Sequence, residues 1–194
     1  IRSYLATDKL FIYFSTVSIY DKSLSDSKYI KHKIEIEKII KKESKHYLIL
    51  RLPNIVGNTN NPNTFFNYFY DAITNKKPIV IQKNSIRYFL DIDNIEPMVQ
   101  FFFKNPDKWN KVINITFNDP ILVPTAIEIM EEGLGIRAKK NIIDQGKQYT
   151  VPNEDFTSYR NMVFPNIIDE GYAKSVLLKY IKLNPTWKWK TFFL

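Results

Sequence analysis

Lys9-Leu10-Phe11-Ile12-Tyr13-Phe14-Ser15-Thr16 is a nearly continuous apolar and β-branched run that ends in two hydroxyls. That is the pattern of a strand buried on both faces of a parallel sheet. Ser25, Asp26 and Ser27 then offer helix caps. From there to about Glu43, Ile30, Ile34, Ile36, Ile39 and Ile40 recur at helical spacing, with Lys28, Lys31, Lys38, Lys41 and Lys42 mostly on the other side. His46-Tyr47-Leu48-Ile49-Leu50-Arg51 reads as a second strand. Strand, helix, strand is a βαβ unit, right-handed in nearly all proteins, and it places the chain in the α/β class.

Outward from this unit, Gly57 to Pro62 is a polar, asparagine-rich loop. An aromatic helix follows from about Asn63 to Asn75, then strand-like runs at 78–82 and 85–92, a helix near 94–104 and a strand at Val112-Ile113-Asn114-Ile115. Further helices fit 123–132 and 170–182, with an ambiguous stretch of short strands and turns between them. The tail Trp187-Lys188-Trp189-Lys190-Thr191-Phe192-Phe193-Leu194 reads as a docked terminus. No internal repeat is visible.

Composition narrows the chemistry. The 194 residues are 44% hydrophobic, enough for a sizeable core. There are no cysteines and only two histidines, His32 and His46, so disulfides, thiolate catalysis and a Cys- or His-based metal site are excluded. No apolar run approaches the ~20 residues that span a bilayer, and the start has no signal-peptide pattern; a cytoplasmic protein is expected. The net charge of +8 accompanies a general richness in Ile, Asn and Lys. It suits a phosphate-bearing small ligand, and no nucleic-acid partner is expected. The sequence begins at Ile1 and its first methionine is Met98, which reads as a segment of a longer parent.

Tyr29 and Lys33 are four apart on the first helix, so their side chains project from one face and can meet one ligand. Alone this pattern is weak. Its context is stronger, because Ser15-Thr16 puts a hydroxyl at the carboxyl end of a strand, where open α/β sheets bind ligands.

Three segments in this order resemble the motif series of the extended short-chain dehydrogenases/reductases. They are Phe14-Ser15-Thr16-Val17-Ser18-Ile19-Tyr20, Tyr29-Ile30-Lys31-His32-Lys33 and Arg51-Leu52-Pro53-Asn54-Ile55-Val56-Gly57. Within that superfamily they are similar to the NAD-dependent epimerases and dehydratases of nucleotide sugars. Arg87-Tyr88-Phe89-Leu90-Asp91-Ile92-Asp93-Asn94-Ile95 resembles the family's arginine-bearing strand, and 112–115 the strand that returns to the cofactor sheet. The resemblance spans roughly residues 9 to 135. It implies the C-terminal part of a Rossmann-type parallel sheet plus a smaller α+β substrate-binding lobe. Residues 1–57 would form a truncated NAD(P)-binding half with the catalytic motif and 58–183 mainly the substrate lobe. Within the latter, 94–118 would return to the sheet, and 184–194 would be a tail.

The resemblance also assigns roles. Tyr29 would be the acid/base, Thr16 would hydrogen-bond the same substrate oxygen, and Lys33 would favour the phenolate and hold the cofactor's ribose. A tyrosine has an ordinary pKa of about 10, so a nearby ammonium is needed for it to act as a base near neutrality. Phe14, Ser15, Leu52, Pro53 and Ile55 would join Tyr29 and Lys33 around NAD or NADP. Ser18, Asn54, Asn63, Thr64 and Arg87 would contact the nucleotide sugar. Asn63-Thr64 would cap a helix whose amides could take a diphosphate oxygen, and Arg87 offers a planar fork for phosphate.

Departures from the family restrict the reaction. Dehydratases carry an Asp-Glu pair after the catalytic threonine, where this chain has Val17-Ser18. That leaves reduction of a keto sugar or 4-epimerisation, in surface-polysaccharide precursor synthesis as the resemblance implies. Asp21 stands where the family often has a small or turn residue. Only five glycines occur and none precedes Gly57, so no dinucleotide turn lies upstream. Gly133-Leu134-Gly135-Ile136-Arg137-Ala138 matches Gly-x-Gly-x-x-Ala, but a cofactor turn follows a strand and opens a helix. Here the helix from Pro124 to Glu132 precedes it, with Gly133 expected as its cap.

Strand 10–15 would then expose an edge, to be covered by an N-terminal segment that completes the sheet or by a second copy in a homodimer. Two rival readings remain: a catalytically silent family member serving as a binding or assembly subunit, and a basic nucleic-acid-binding domain with Lys, Arg and aromatic residues on one face.

Overall fold

The computed structural model describes residues 8–183; the expected tail at 184–194 lies outside them. In chain order the elements are β1 (Phe11–Thr16), α1 (Lys28–Glu43), β2 (Tyr47–Leu52), β3 (Asn54–Val56) and α2 (Phe65–Thr74). They continue with β4 (Pro78–Gln82), β5 (Ile86–Arg87), β6 (Phe89–Asp91), α3 (Ile95–Lys104) and β7 (Lys111–Asn114). Last come β8 (Ile121–Leu122), α4 (Val123–Leu134), β9 (Lys139–Ile143), α5 (Glu154–Val163) and α6 (Tyr172–Leu183).

A parallel sheet of order β1-β2-β7 carries the site. Its register sets Ser15 beside Arg51 and Arg51 beside Asn114. The strand buried on both faces is β2, whose Leu48, Ile49 and Leu50 are fully enclosed. The same burial expected of β1 is not found. Among the described residues β1 pairs on one side only, and Phe14 keeps 44% of its surface exposed. One sheet face packs Ile49 against Ile40 of α1; Leu48, Leu50 and Ile113 enter the main core with Met98, Phe102, Ile127 and Leu177.

Three small two-stranded sheets pair β3 with β6, β4 with β9 and β5 with β8. The run 85–92, expected as one strand, breaks at Tyr88. Its carbonyl accepts from the Asn54 backbone N–H at 3.1 Å and from Asn54 Nδ2 at 3.0 Å, while its ring is buried beside Tyr149. The ambiguous stretch contains α5, which packs Phe156 and Tyr159 inward.

The decoy glycines fall where a cofactor turn has no use for them. α4 runs two residues beyond the expected end, so Gly133 is not its cap. A Cβ on Gly133 would come within 2.9 Å of Leu178 Cδ2 and 3.0 Å of Ile181 Cδ1 on α6. The cap is Gly135, in the left-handed region at φ +65°, and the next element is β9, a strand.

Candidate active site

The site begins at the carboxyl end of β1. Thr16 is buried, and its Oγ1 accepts from the Ser18 N–H at 3.1 Å, capping the 3₁₀ turn Val17–Tyr20. Asp21 opens a second turn, its carboxylate accepting from the Ser23 N–H at 3.0 Å and the Ser23 hydroxyl at 2.5 Å. That is the physical account of the departure at this position: Asp21 ends one 3₁₀ turn and starts the next.

Helical spacing then brings Tyr29, Lys33 and Glu37 onto one face of α1. Tyr29 is 56% exposed. The Lys33 ammonium donates to the Phe14 carbonyl at 2.9 Å and lies 4.8 Å from the Tyr13 ring centre and 5.7 Å from that of Tyr29. Partial burial lowers the pKa of Lys33, against the opposing pull of Glu37.

A cavity of about 380 Å³ opens here. Thr16, Ser18 and Tyr29 line one side and Pro53, Asn54 and Ile55 another, with Asn63, Thr64 and Phe65 at the start of α2. Thr64 caps that helix, its hydroxyl accepting from the Asn67 N–H at 3.4 Å. Residues widely spaced in sequence thus meet because β1 and β2 are parallel neighbours ending on the same side.

The other expected site residues lie outside this lining. Phe14 is exposed on β1, Leu52 is in the core, and the Ser15 hydroxyl donates to Glu37 at 2.6 Å. Arg87 donates to its neighbour's carbonyl, that of Ile86, at 2.7 Å. Its charge also acts on Tyr149, whose pKa burial pushes up to about 12 against that pull. Tyr149 lines a separate cavity of about 400 Å³ with Tyr20, Lys22 and Lys147. Among the described residues no cluster of three or more metal-ligating side chains occurs.

Sequence reasoning missed Glu37 and treated Arg51 only as part of a motif. The signal was present: Glu37 falls on the stripe of Ile30 and Ile40, and a carboxylate on an apolar stripe requires a partner. Arg51 is that partner, donating from Nε at 2.9 Å and Nη2 at 2.6 Å.

No protein-family model and no curated sequence matches the chain. Solved structures do match. The UDP-glucuronic acid 4-epimerase of Bacillus cereus, in complex with UDP-glucuronic acid and NAD, is 22% identical with a TM-score of 0.69. The match covers 90% of this chain and 62% of that one. The dTDP-glucose 4,6-dehydratase of Bacillus anthracis, in complex with NAD, is 15% identical with a TM-score of 0.67, over 91% and 63% of the two chains. The UDP-glucose 4-epimerase of Thermus thermophilus, also with NAD, is 12% identical at a TM-score of 0.66, over 90% and 62%.

The chain has the fold of the nucleotide-sugar epimerases and dehydratases. It spans less than two thirds of the length of each of these three structures. Among the described residues no helix is long and apolar enough to cross a membrane.

Proposed function

We propose that this chain carries the acid/base residues and the substrate lobe of an NAD(P)-dependent oxidoreductase or epimerase acting on a nucleotide-diphosphate sugar. The observation that carries the reading is the meeting of Thr16 and Tyr29 on one cavity, with the Lys33 ammonium anchored beside Tyr29.

Tyr29 would take the proton of a sugar hydroxyl during oxidation, or return one during reduction, at its phenolic oxygen. Lys33 favours the phenolate electrostatically. Thr16 Oγ1 holds the reacting sugar oxygen, so that proton transfer occurs within one fixed geometry. Asn54, Ser18, Asn63 and Thr64 are placed to orient the rest of the substrate. NAD or NADP, when bound, supplies the hydride acceptor or donor.

The residues present fit only the nicotinamide-ribose end of such a cofactor. Lys33 offers a cation to ribose hydroxyls, and Pro53 and Ile55 line the cavity, whereas Leu52 is buried and the Ser15 hydroxyl is taken up by Glu37. For the pyrophosphate, no glycine-rich turn opens a helix among the described residues. That observation favours a second reading, a catalytically silent subunit with the same fold. It also favours completion of the sheet along β1.

Assay of the natural polypeptide with NADH or NADPH on nucleotide 4-keto sugars, beside its Tyr29→Phe variant, separates these readings. Turnover should fall by about 10²–10⁴-fold in the variant, the usual share of a general acid/base. Equal turnover in both refutes the mechanism, and no turnover with any sugar supports the silent subunit.

A further inference from the structure

Glu37 has about 2% of its surface exposed and lies one helical turn beyond Lys33 and two beyond Tyr29 on the same face of α1. Burying a lone carboxylate costs several kcal/mol, so such a group persists only with partners. Ser15 donates to Oε1 at 2.6 Å; Arg51 donates Nε to Oε1 at 2.9 Å and Nη2 to Oε2 at 2.6 Å. Ser15 and Arg51 are register neighbours on β1 and β2, so the carboxylate bridges both strands. Ser15 adjoins Thr16, and Arg51 shortly precedes Pro53 and Asn54. The remaining Nη1 of Arg51 donates to the Tyr20 hydroxyl at 3.0 Å, which also accepts from Asn114 Nδ2 at 2.9 Å. One buried pair therefore ties α1, β1, β2, β7 and the turn after Ser18 together.

The polar surroundings of Lys33 are few. β1 contributes the Tyr13 ring and the Phe14 carbonyl, α1 contributes Tyr29 and Glu37, and β2 places Arg51 behind Glu37. Burial disfavours the Lys33 ammonium, and the charge that opposes this is that of Glu37.

We propose that Glu37 is a positioning residue of the Tyr29–Lys33 pair: clamped by Arg51 and Ser15, it seats α1 on the sheet and sets a negative charge one helical turn from the Lys33 ammonium beside Tyr29. The proposal rests on the functional reading of that pair, yet its geometry involves no cofactor, so it is testable on the chain itself.

The measurement is competitive labelling of Lys33 with an acylating reagent across pH, read by mass spectrometry of its peptide. The midpoint reports the ammonium's titration, and the plateau reports access. Glu37→Gln should lower the midpoint and raise labelling near neutrality, about tenfold for each unit the midpoint moves. Glu37→Asp, which keeps the charge, should retain most of the original midpoint. A purely structural role would change the plateau and the thermal unfolding but leave the midpoint in place; that result in folded Glu37→Gln overturns the proposal.

Glu37→Gln strands the Arg51 charge, so a chain that fails to fold is replaced by Glu37→Gln combined with Arg51→Gln, where neither charge remains. A smaller downward movement is expected there, since loss of the Arg51 charge acts in the opposite sense. An unmoved midpoint there also overturns the proposal. Unchanged turnover in Tyr29→Phe would remove the catalytic reading without touching this titration.

Discussion

Lys33 on α1 donates to the carbonyl of Phe14 on β1 at 2.9 Å. The residue one turn past Tyr29 is thereby tied to the strand that carries Thr16, which holds together the two halves of the proposed acid/base arrangement. Replacing Lys33 with Met should remove both this tie and the charge beside Tyr29. The hydrogen bond is exposed, and its loss should cost about 0.5–1 kcal/mol, read as a lower denaturant midpoint at unchanged slope. The functional loss should be much larger than that stability loss. Lys33→Arg should recover the stability while recovering little activity, because a planar fork does not reproduce a compact ammonium.

Acid stability should report Glu37. Burial alone would raise its pKa, but hydrogen bonds from Arg51 and Ser15 and the Arg51 charge hold it below the ordinary carboxylate value of 4.5. A carboxylate whose pKa is depressed by folding stabilises the native state above the unfolded pKa. That contribution is lost as pH falls through the depressed folded value. Urea unfolding from pH 7 downward should show it: below the unfolded-state pKa, Glu37→Gln with Arg51→Gln should lose less stability than the parent chain. Parallel curves would mean that the pair is not linked to folding in this way.

Asn54 turns its amide toward the Tyr88 carbonyl at 3.0 Å. Asn54→Asp puts a carboxylate against that carbonyl, two acceptors with no proton between them. The cost should be about 1–3 kcal/mol of stability. Asn54→Ala should cost less, since the backbone bond from residue 54 to Tyr88 at 3.1 Å remains. Thermal or urea unfolding of the two variants side by side checks the order.

Gly57 sits against Ile92, and an added Cβ would lie 2.5 Å from Ile92 Cγ2 and 2.7 Å from its Cβ. The second of these belongs to the root of a branched side chain, which cannot swing away. Gly57→Ala should therefore destabilise by about 1–3 kcal/mol, as overpacking does. Pairing it with Ile92→Ala should recover part of the loss made by the glycine substitution; strictly additive losses would show that the two positions do not clash.

How far this was readable from sequence depends on the element. The strand, helix, strand opening was legible because its apolar residues keep one period for many residues in each element. β1 misled on burial, because an apolar run gives no information on how many neighbours a strand has. The break at Tyr88 was hidden, since a continuous strand-like run conceals a change of pairing partner from β8 to β3. α5 was missed because only Phe156 and Tyr159 of its residues are buried, too few to print a helical period. Most of the cavity lining was named in advance through the motif order, whereas the Glu37–Arg51 clamp joins residues of two elements that no local window contains.

The central place of β2 has a consequence for synthesis of the chain. Its partner β1 precedes it closely, but its other partner is β7, with Leu48 beside Lys111 and Arg51 beside Asn114. At ribosomal rates of about 5–20 residues per second, the segment 53–110 takes roughly 3–12 s to emerge. Throughout that interval β2 has one open ladder and its most apolar residues lack their final cover. The nascent βαβ unit therefore keeps apolar surface uncovered until Lys111–Asn114 arrives, and slow codons placed before residue 111 should lower its soluble yield more than the same codons placed after it.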